Sequence, residues 1–469
     1  MKPQARVQAV IDIFEKLQGS RVPLDTVVGD YMRVRRYIGS KDRSNVAERV
    51  YDIARAAARL GWWVERGKIE DTPRARVLTW VVISEGADEK RVKDLFDGSK
   101  FAPDELSEKE LAYIKTIKGH ELTHKDMPLS VRCECPAQYE ESLKNYFGAD
   151  FETEMSAMLG AATLDLRVNA MLSDKKQAQG ALKSDGVETD ETPYAPLGLR
   201  CRSKAYLAKT KAFAKGWVEI QDEGSQLIAH LCGAKPGMQV LDYCAGAGGK
   251  TLALAADMVG SNGNPKGRIV AMDLDERRLM KSRDRFKKAR VSDIIEPRPL
   301  TDQRHRKWLK RQEGSFDIVL CDVPCTGTGT WRRNPDMRWN NYGPSLEELR
   351  VVQAEILDKV VHAVKSGGRL VYATCSLLPE ENENQIEAFL QRHEGFEVMP
   401  AGVILSEGRQ PEKEVSSRRK PGSDSTGEKI PASAGMTMRA LQDDKTGFMR
   451  LTPHRHNTDG FFAAVLKRV

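Results

Sequence analysis

The chain reads as a multidomain protein whose C-terminal half is a doubly wound α/β domain, preceded by an all-α region and a small α+β segment. Three observations predict this. From Trp217 onward, short β-branched runs alternate with helical stretches, as a parallel sheet covered on both faces requires. Before His124 the apolar residues recur at three- and four-residue spacing, with no strand-like alternation. At 469 residues the chain is also too long for one ordinary domain.

In chain order, Ala5–Phe14 presents one apolar helical face. Val46–Leu60 presents another, with Val50, Ile53, Ala54 and Ala57 in register and Ser44 as its expected N-cap. Trp80–Ile83 and Val92–Phe96 extend the bundle. Near Met127 the pattern changes: Leu129–Cys133 alternates like a strand, Tyr139–Phe147 is helical, Leu164–Asn169 is a strand and Lys175–Leu182 a helix. Boundaries are expected at 1–126, 127–214 and 215–469.

In the last of these, Gln239–Tyr243, Arg268–Asp273, Ile294–Pro299 and Phe316–Asp322 are the first four strands. Helices are expected at Lys250–Met258 and Leu346–Val364. Gly367-Gly368 is expected to end the latter and to open a fifth strand running to Cys375. Asp459–Leu466 closes the fold as a final strand. Between them, residues 405–446 are rich in Ser, Gly, Pro, Lys and Arg around Arg418–Ser423, and are expected to be a disordered insertion.

Composition narrows the class. Hydrophobic residues make up 40% and charged residues 30%, enough for a core, and no apolar run approaches a membrane span. The first six residues open an amphipathic helix rather than a signal peptide, so a cytoplasmic protein without membrane association is expected. The cysteines at 133, 135, 201, 232, 244, 321, 325 and 375 show no paired C-x-x-C spacing, which argues against zinc or a disulfide framework; no metal is expected. A net charge of +7 is modest, but Arg277–Arg290 holds eight Lys or Arg, followed by Arg304, Arg306, Lys307, Lys310 and Arg311. Such runs are usually solvated helix faces, and they also suit a phosphate backbone.

The first strand delivers Cys244, Ala245, Gly246, Ala247, Gly248, Gly249 and Lys250 to a helix start, where small residues let a ligand approach the backbone. A phosphate-binding P-loop would need glycine where Cys244 stands. A dinucleotide fingerprint begun at Gly246 would need glycine where Thr251 stands. What remains is the short glycine loop of Rossmann-like methyltransferases, with Asp273 at the tip of strand two placed to accept two ribose hydroxyls.

Strand four ends in Asp322-Val323-Pro324-Cys325, at the same sheet edge as Cys375. Each cysteine alone reads as a packed thiol. Two cysteines and a carboxylate beside an adenosine site share one explanation, methylation of carbon 5 of a pyrimidine. That carbon is a poor nucleophile until a thiolate adds to carbon 6, and the carbon-5 proton must later leave so that the thiol can depart.

These residues resemble the Sun/RsmB (NOL/NOP/Sun-type) family of S-adenosylmethionine-dependent RNA cytosine-5 methyltransferases. The resemblance is carried by Asp242–Thr251, Ala271–Asp275, Asp322–Arg333, Tyr372–Asn384, Gln221–Gln226, Asp459–Phe462 and Leu166–Asn169. It implies a NusB-like helical RNA-binding domain, a small RNA-contact domain and a class I methyltransferase domain. It further implies Cys375 as nucleophile and Cys325 as the thiol that assists adduct breakdown. Asp322 would contact the cytosine and the donor methionine, residues 244–250 and Asp273 would hold S-adenosyl-L-methionine, and Asp302 would approach the adenine. The implied partner is RNA, 16S ribosomal RNA first and transfer RNA second, with the protein acting as a monomer. A non-catalytic ribosome assembly factor is the alternative from another class. Three positions depart from the family pattern: Ala247 replaces a common proline, Thr301 replaces the glycine before Asp302, and the 405–446 segment has no counterpart.

Overall fold

A computed structural model of the chain describes residues 1–260, 263–340, 342–407, 438 and 440–469. These divide into two compact units, Met1–Ala161 with Thr330–Ser345, and Ala162–Gly329 with Leu346–Val469.

The first unit is helical. Helices Pro3–Leu17, Leu24–Val34, Ser40–Arg55, Ala57–Arg66, Pro73–Ile83, Glu89–Leu95 and Glu108–Ile117 turn their apolar faces onto a core that includes Val10, Ile13, Val50, Trp63 and Val81. The helix expected across Val46–Leu60 is in fact two, meeting at Ala56. Its start also lies earlier than Ser44, with Gly39 at the N-cap. The cause of the break is non-local. The buried Glu134 carboxylate accepts the backbone N–H groups of Ala58 (2.7 Å) and Arg59 (3.0 Å), donors that a continuous helix would have used internally.

Leu129–Cys133 is not a strand. Leu129–Arg132 forms one helical turn after Pro128, because five alternating residues fit a helical turn as well as a strand. Helices Ala137–Phe147 and Phe151–Ala157 follow, so the helical unit runs to Ala161 instead of ending at 126. It also takes in Thr330–Ser345, which in sequence lies inside the α/β region. There Trp331 is fully buried, and Arg338 donates to the carbonyls of Glu134 (3.1 Å) and Met158 (2.9 Å). Burial pushes the Arg338 guanidinium down to about 10.

The second unit holds two sheets. Strands β1 (Asp165–Val168), β2 (Thr189–Glu191), β3 (Gly198–Cys201) and β4 (Val218–Ile220) form an antiparallel sheet in the order β2-β3-β1-β4. Because β4 completes this sheet, a cut at 214 would divide it. The larger sheet comprises β5 (Gln239–Asp242), β6 (Arg268–Asp273), β7 (Ile295–Pro299), β8 (Phe316–Asp322), β9 (Val364–Thr374), β10 (Phe396–Met399), β11 (Met449–Leu451) and β12 (Phe461–Arg468). Its path is β10-β12-β9-β8-β5-β6-β7, with β11 on β12.

Strands β5 to β9 are mutually parallel, whereas β12 runs antiparallel between β9 and β10. This is the Rossmann-like order, with its switch point between β5 and β8. Apolar layers cover both faces, Leu252, Ile269 and Val371 on one side and Val270, Val319 and Tyr372 on the other.

Two expectations change here. Gly367-Gly368 does not end the preceding helix, which stops at Val360. The pair lies within β9, where the partner of β8 jumps from Val364 to Arg369, and Gly367 adopts φ 75° in the resulting bulge. A Cβ on Gly368 would lie 2.9 Å from the Lys365 carbonyl oxygen, so only glycine fits there.

The segment expected to be disordered at 405–446 loses both ends. Leu405 lies within helix Ala401–Glu407 and is buried, as are Met438 and Leu441, and the Gln442 side chain accepts the Gly402 N–H at 2.7 Å. A few apolar residues inside a polar stretch are anchored by partners distant in sequence, which composition averages away. The remainder, including Arg418–Ser423, lies outside the described residues. No described helix is long and apolar enough to cross a membrane.

Candidate active site

The register of the parallel strands assembles the site. Asp242 stands opposite Ala271 and Leu320, Asp273 opposite Pro299, and Asp322 opposite Ala373, so the carboxyl ends of β5, β6, β8 and β9 form one edge. In an open α/β sheet that edge, at the switch point, is where ligands bind.

The glycine loop leaves β5 there. Gly246 and Gly248 have φ of 55° and 76°, a region that favours glycine, and a Cβ on Gly248 would collide with Phe286 at 2.6 Å. Gly248 caps helix Gly249–Asp257 with no side chain over its N-terminus, and a Cβ on Gly249 would meet nothing within 4 Å. Ala245 donates to the Met272 carbonyl (2.9 Å) and Arg285 to that of Ala247 (2.6 Å), which pins the loop from both sides. Gln221 reaches it as well, donating to the Gly249 carbonyl (3.4 Å) while accepting from buried Arg167 (2.8 Å).

Asp273 accepts the Gly246 N–H through one oxygen and the Asp275 N–H through the other, both at 2.7 Å. A carboxylate has about four lone-pair positions, so both oxygens keep capacity for the two hydroxyls of a ribose. This loop and carboxylate fit the adenosine end of S-adenosylmethionine. Asp302 lies just past β7, but its carboxylate accepts the Arg304 N–H (2.8 Å) and pairs with the Arg304 guanidinium (2.7 Å), which holds it down at about 2. Approaching an adenine would require that pair to open. The Cys244 thiol lies among buried apolar and acidic neighbours, and burial raises it far above the usual range.

Just past the ends of β8 and β9, the Cys325 and Cys375 sulfurs are 3.4 Å apart. Hydrogen bonding to Cys375, reinforced by burial, raises the Cys325 thiol well above its ordinary value. Asp322 accepts from the Lys250 ammonium at 2.7 Å. Burial works to lower Lys250, but the Asp322 carboxylate overrides it and keeps the ammonium charged. Below them Asp242 is fully buried and accepts from the Thr251 hydroxyl (2.7 Å), and burial pushes its carboxyl up to about 7.

The two cysteine loops are braced by residues to which sequence reasoning assigned no role. Glu381 accepts from the backbone N–H of Thr326 (2.9 Å), from its hydroxyl and from Gln353 (2.9 Å). Asn382 accepts from Thr374 (2.6 Å) and donates to the Ser376 carbonyl (3.0 Å). Gly329 donates to the Cys375 carbonyl (2.9 Å) and accepts from Gly460 (2.7 Å), and a Cβ on Gly329 would stand 2.2 Å from the Gly460 oxygen. Glu381 and Asn382 stand within the Tyr372–Asn384 stretch that carries the family resemblance, whereas Gln353 has no signal beyond being a glutamine on an apolar helix face.

Fold and site together define a Rossmann-like methyltransferase domain with a paired-cysteine centre. A family model described as 16S rRNA methyltransferase RsmB/F matches residues 230–467. The chain belongs to that family. Among curated relatives, the Ribosomal RNA small subunit methyltransferase B of Yersinia enterocolitica is 34% identical over 245 residues, covering 52% of this chain and 55% of that protein. The protein of the same name from Salmonella typhi is 34% identical over 276 residues, covering 59% and 62%. The matches thus span little more than half the length of those relatives. The solved structure of PH0851 aligns over 100% of this chain and 99% of its own, with TM-score 0.72 and 25% identity. A methyltransferase homolog from Pyrococcus horikoshii aligns over 73% and 98%, with TM-score 0.53 and 24% identity, a likeness of fold.

Proposed function

We propose that the protein transfers a methyl group from S-adenosyl-L-methionine to carbon 5 of a cytosine in RNA, with 16S ribosomal RNA as substrate. The observation that carries the reading is the 3.4 Å pair of Cys325 and Cys375 beside Asp322, at the edge that also holds the glycine loop and Asp273. The family membership of residues 230–467 supports it. The cofactor supplies an electrophilic methyl group. Cys244, Ala245, Gly246, Ala247, Gly248, Gly249, Lys250 and Asp273 hold it, with Asp302 as the adenine contact once released from Arg304.

Cys375 attacks carbon 6 as thiolate, forming the carbon–sulfur bond and making carbon 5 nucleophilic. Asp322, oriented by Lys250, contacts the ring. After methylation a base removes the carbon-5 proton, and the electron pair returns to expel the Cys375 sulfur, a step Cys325 assists. Its thiol, raised well above the ordinary value, suits a group that does not compete as nucleophile.

The helical unit takes the NusB-like role and the small antiparallel sheet the linking role, docking structured RNA by shape and phosphate. The exposed Arg277, Lys281, Arg283 and Lys287 on helix Glu276–Lys288 supply cationic surface beside the cofactor loop. The target cytosine is unstacked to reach the sulfurs. Such an enzyme works in the cytoplasm as a monomer.

The test uses both cysteines. Cys375→Ala should abolish methylation and form no adduct. Cys325→Ala should methylate once and then remain bound to RNA through denaturing electrophoresis, and Cys325→Ala, Cys375→Ala should lose that band. An adduct accumulating in Cys375→Ala would reverse the roles, and full activity in both single variants would end the covalent reading. Bisulfite sequencing of RNA from a deletion strain identifies the substrate: a lost 16S signal supports the proposal, and a lost transfer RNA signal replaces it.

A further inference from the structure

We propose that the dipeptide Glu381-Asn382 is the positioning element that sets the two thiols at their working separation. The inference rests on the covalent-cysteine reading above and goes beyond it. Glu381 acts on the Cys325 side, where its carboxylate takes both the N–H and the hydroxyl of Thr326, the residue that follows the thiol. Asn382 acts on the Cys375 side, where its amide spans Thr374 and Ser376, the residues that flank the other thiol. One peptide bond therefore ties two loops that are 50 residues apart in sequence.

Two features show that these side chains are held here at a cost elsewhere. Asn382 occupies the N-cap position of helix Glu383–Arg392, where asparagine is among the favoured caps, yet its side chain makes no cap. The helix end goes without that bond so that Thr374 and Ser376 can be held. Glu381 is fully buried and, among the described residues, its carboxylate is met by neutral donors only, namely Thr326 and Gln353. A buried carboxylate without a cation is unfavourable for stability alone. Gln353 completes the frame. Its amide donates to Glu381 and also to the carbonyl of Pro324 (3.0 Å), immediately before Cys325. Ser376 adds a cross-tie, its hydroxyl 3.1 Å from that of Thr328 and 3.4 Å from that of Thr326.

The separation can be read without RNA. In the full-length protein, a diazene oxidant such as diamide takes two electrons and two protons from the thiols, leaving a Cys325–Cys375 disulfide and a hydrazine. Mass spectrometry of the joined peptides follows the rate. Preorganised sulfurs should close rapidly, and Glu381→Ala should slow closure at least ~tenfold, since a loss of alignment near 1 Å can cost more than that. Glu381→Gln should restore it, because a glutamine amide can still accept the Thr326 N–H and exchange a hydrogen bond with its hydroxyl. Asn382→Ala should slow closure from the other side.

Melting temperature and S-adenosylhomocysteine affinity at wild-type values show that each variant keeps its fold. Should Glu381→Ala fail to fold, Thr326→Val removes only the hydroxyl tie and should also slow closure. With RNA, Glu381→Ala should lower the methylation rate at saturation with KM unchanged, and Glu381→Gln should recover it. Wild-type closure in a folded Glu381→Ala variant, or Glu381→Gln as slow as Glu381→Ala, overturns the proposal. Methylation surviving in Cys375→Ala would instead overturn the covalent reading and leave the disulfide rates to stand by themselves.

Discussion

Asp242→Asn should be less costly at pH 8 than at pH 5, and the structure says by how much. Asp242 is fully buried at the end of β5, accepts one hydrogen bond from Thr251, and is raised from an ordinary 3.8 to about 7, chiefly by burial. Between those values the folded protein holds a proton that the unfolded chain has released, so stability falls as pH rises from about 4 to about 7. The full difference is about three pKa units at about 1.4 kcal/mol each; the interval from pH 5 to pH 8 spans about two of them, near 3 kcal/mol.

Asparagine does not titrate, and its side-chain oxygen can still accept from Thr251. The comparison therefore removes this one titrating carboxyl and leaves the rest of the chain unchanged. Thermal unfolding of the two proteins at pH 5 and pH 8 is the assay. The melting temperature of Asp242→Asn relative to wild type should rise by an amount on the order of 5–10 °C between the two conditions. A relative melting temperature that does not change with pH would refute the argument, and with it the idea that burial keeps this carboxyl protonated near neutrality.

Asp273→Ala should weaken S-adenosylmethionine binding by roughly 1.5–3 kcal/mol, the worth of hydrogen bonds to a charged acceptor. Calorimetry on the folded variant checks it, and unchanged affinity would reject the ribose assignment. Removal of residues 408–437 with a short polar join should leave melting temperature and turnover near wild type, because loop-closure entropy varies slowly with length. Removal of 405–446 should instead destabilise by several kcal/mol, since buried Leu405, Met438 and Leu441 go with it, each worth about 2–5 kcal/mol. Equal melting temperatures for the two deletions would contradict the burial of those side chains.

The sequence determined whatever depends on local pattern. Strand and helix periods placed β5 to β9 and β12, turn chemistry placed the glycine loop, and the residue types at strand ends picked out Asp273, Asp322, Cys325 and Cys375. Those residues are legible because parallel strands deliver their carboxyl ends to one edge whatever the loops do.

The remaining features depend on partners remote in sequence. The helix breaks at Ala56 because the Glu134 carboxylate, remote in sequence, takes the amides of Ala58 and Arg59. Leu405 and Leu441 are core because distant strands cover them, though their neighbours read as disorder. Trp331 and Arg338 join the helical unit although they are written between strands of the sheet. Glu381 and Asn382 lie in the stretch that carries the family resemblance, with no role assigned to them there, and they brace both thiols because β8 and β9 are neighbours. Periodicity records which face of an element is apolar. It does not record which buried donor meets which acceptor across a packed sheet, since that pairing is settled only when the strands take their register.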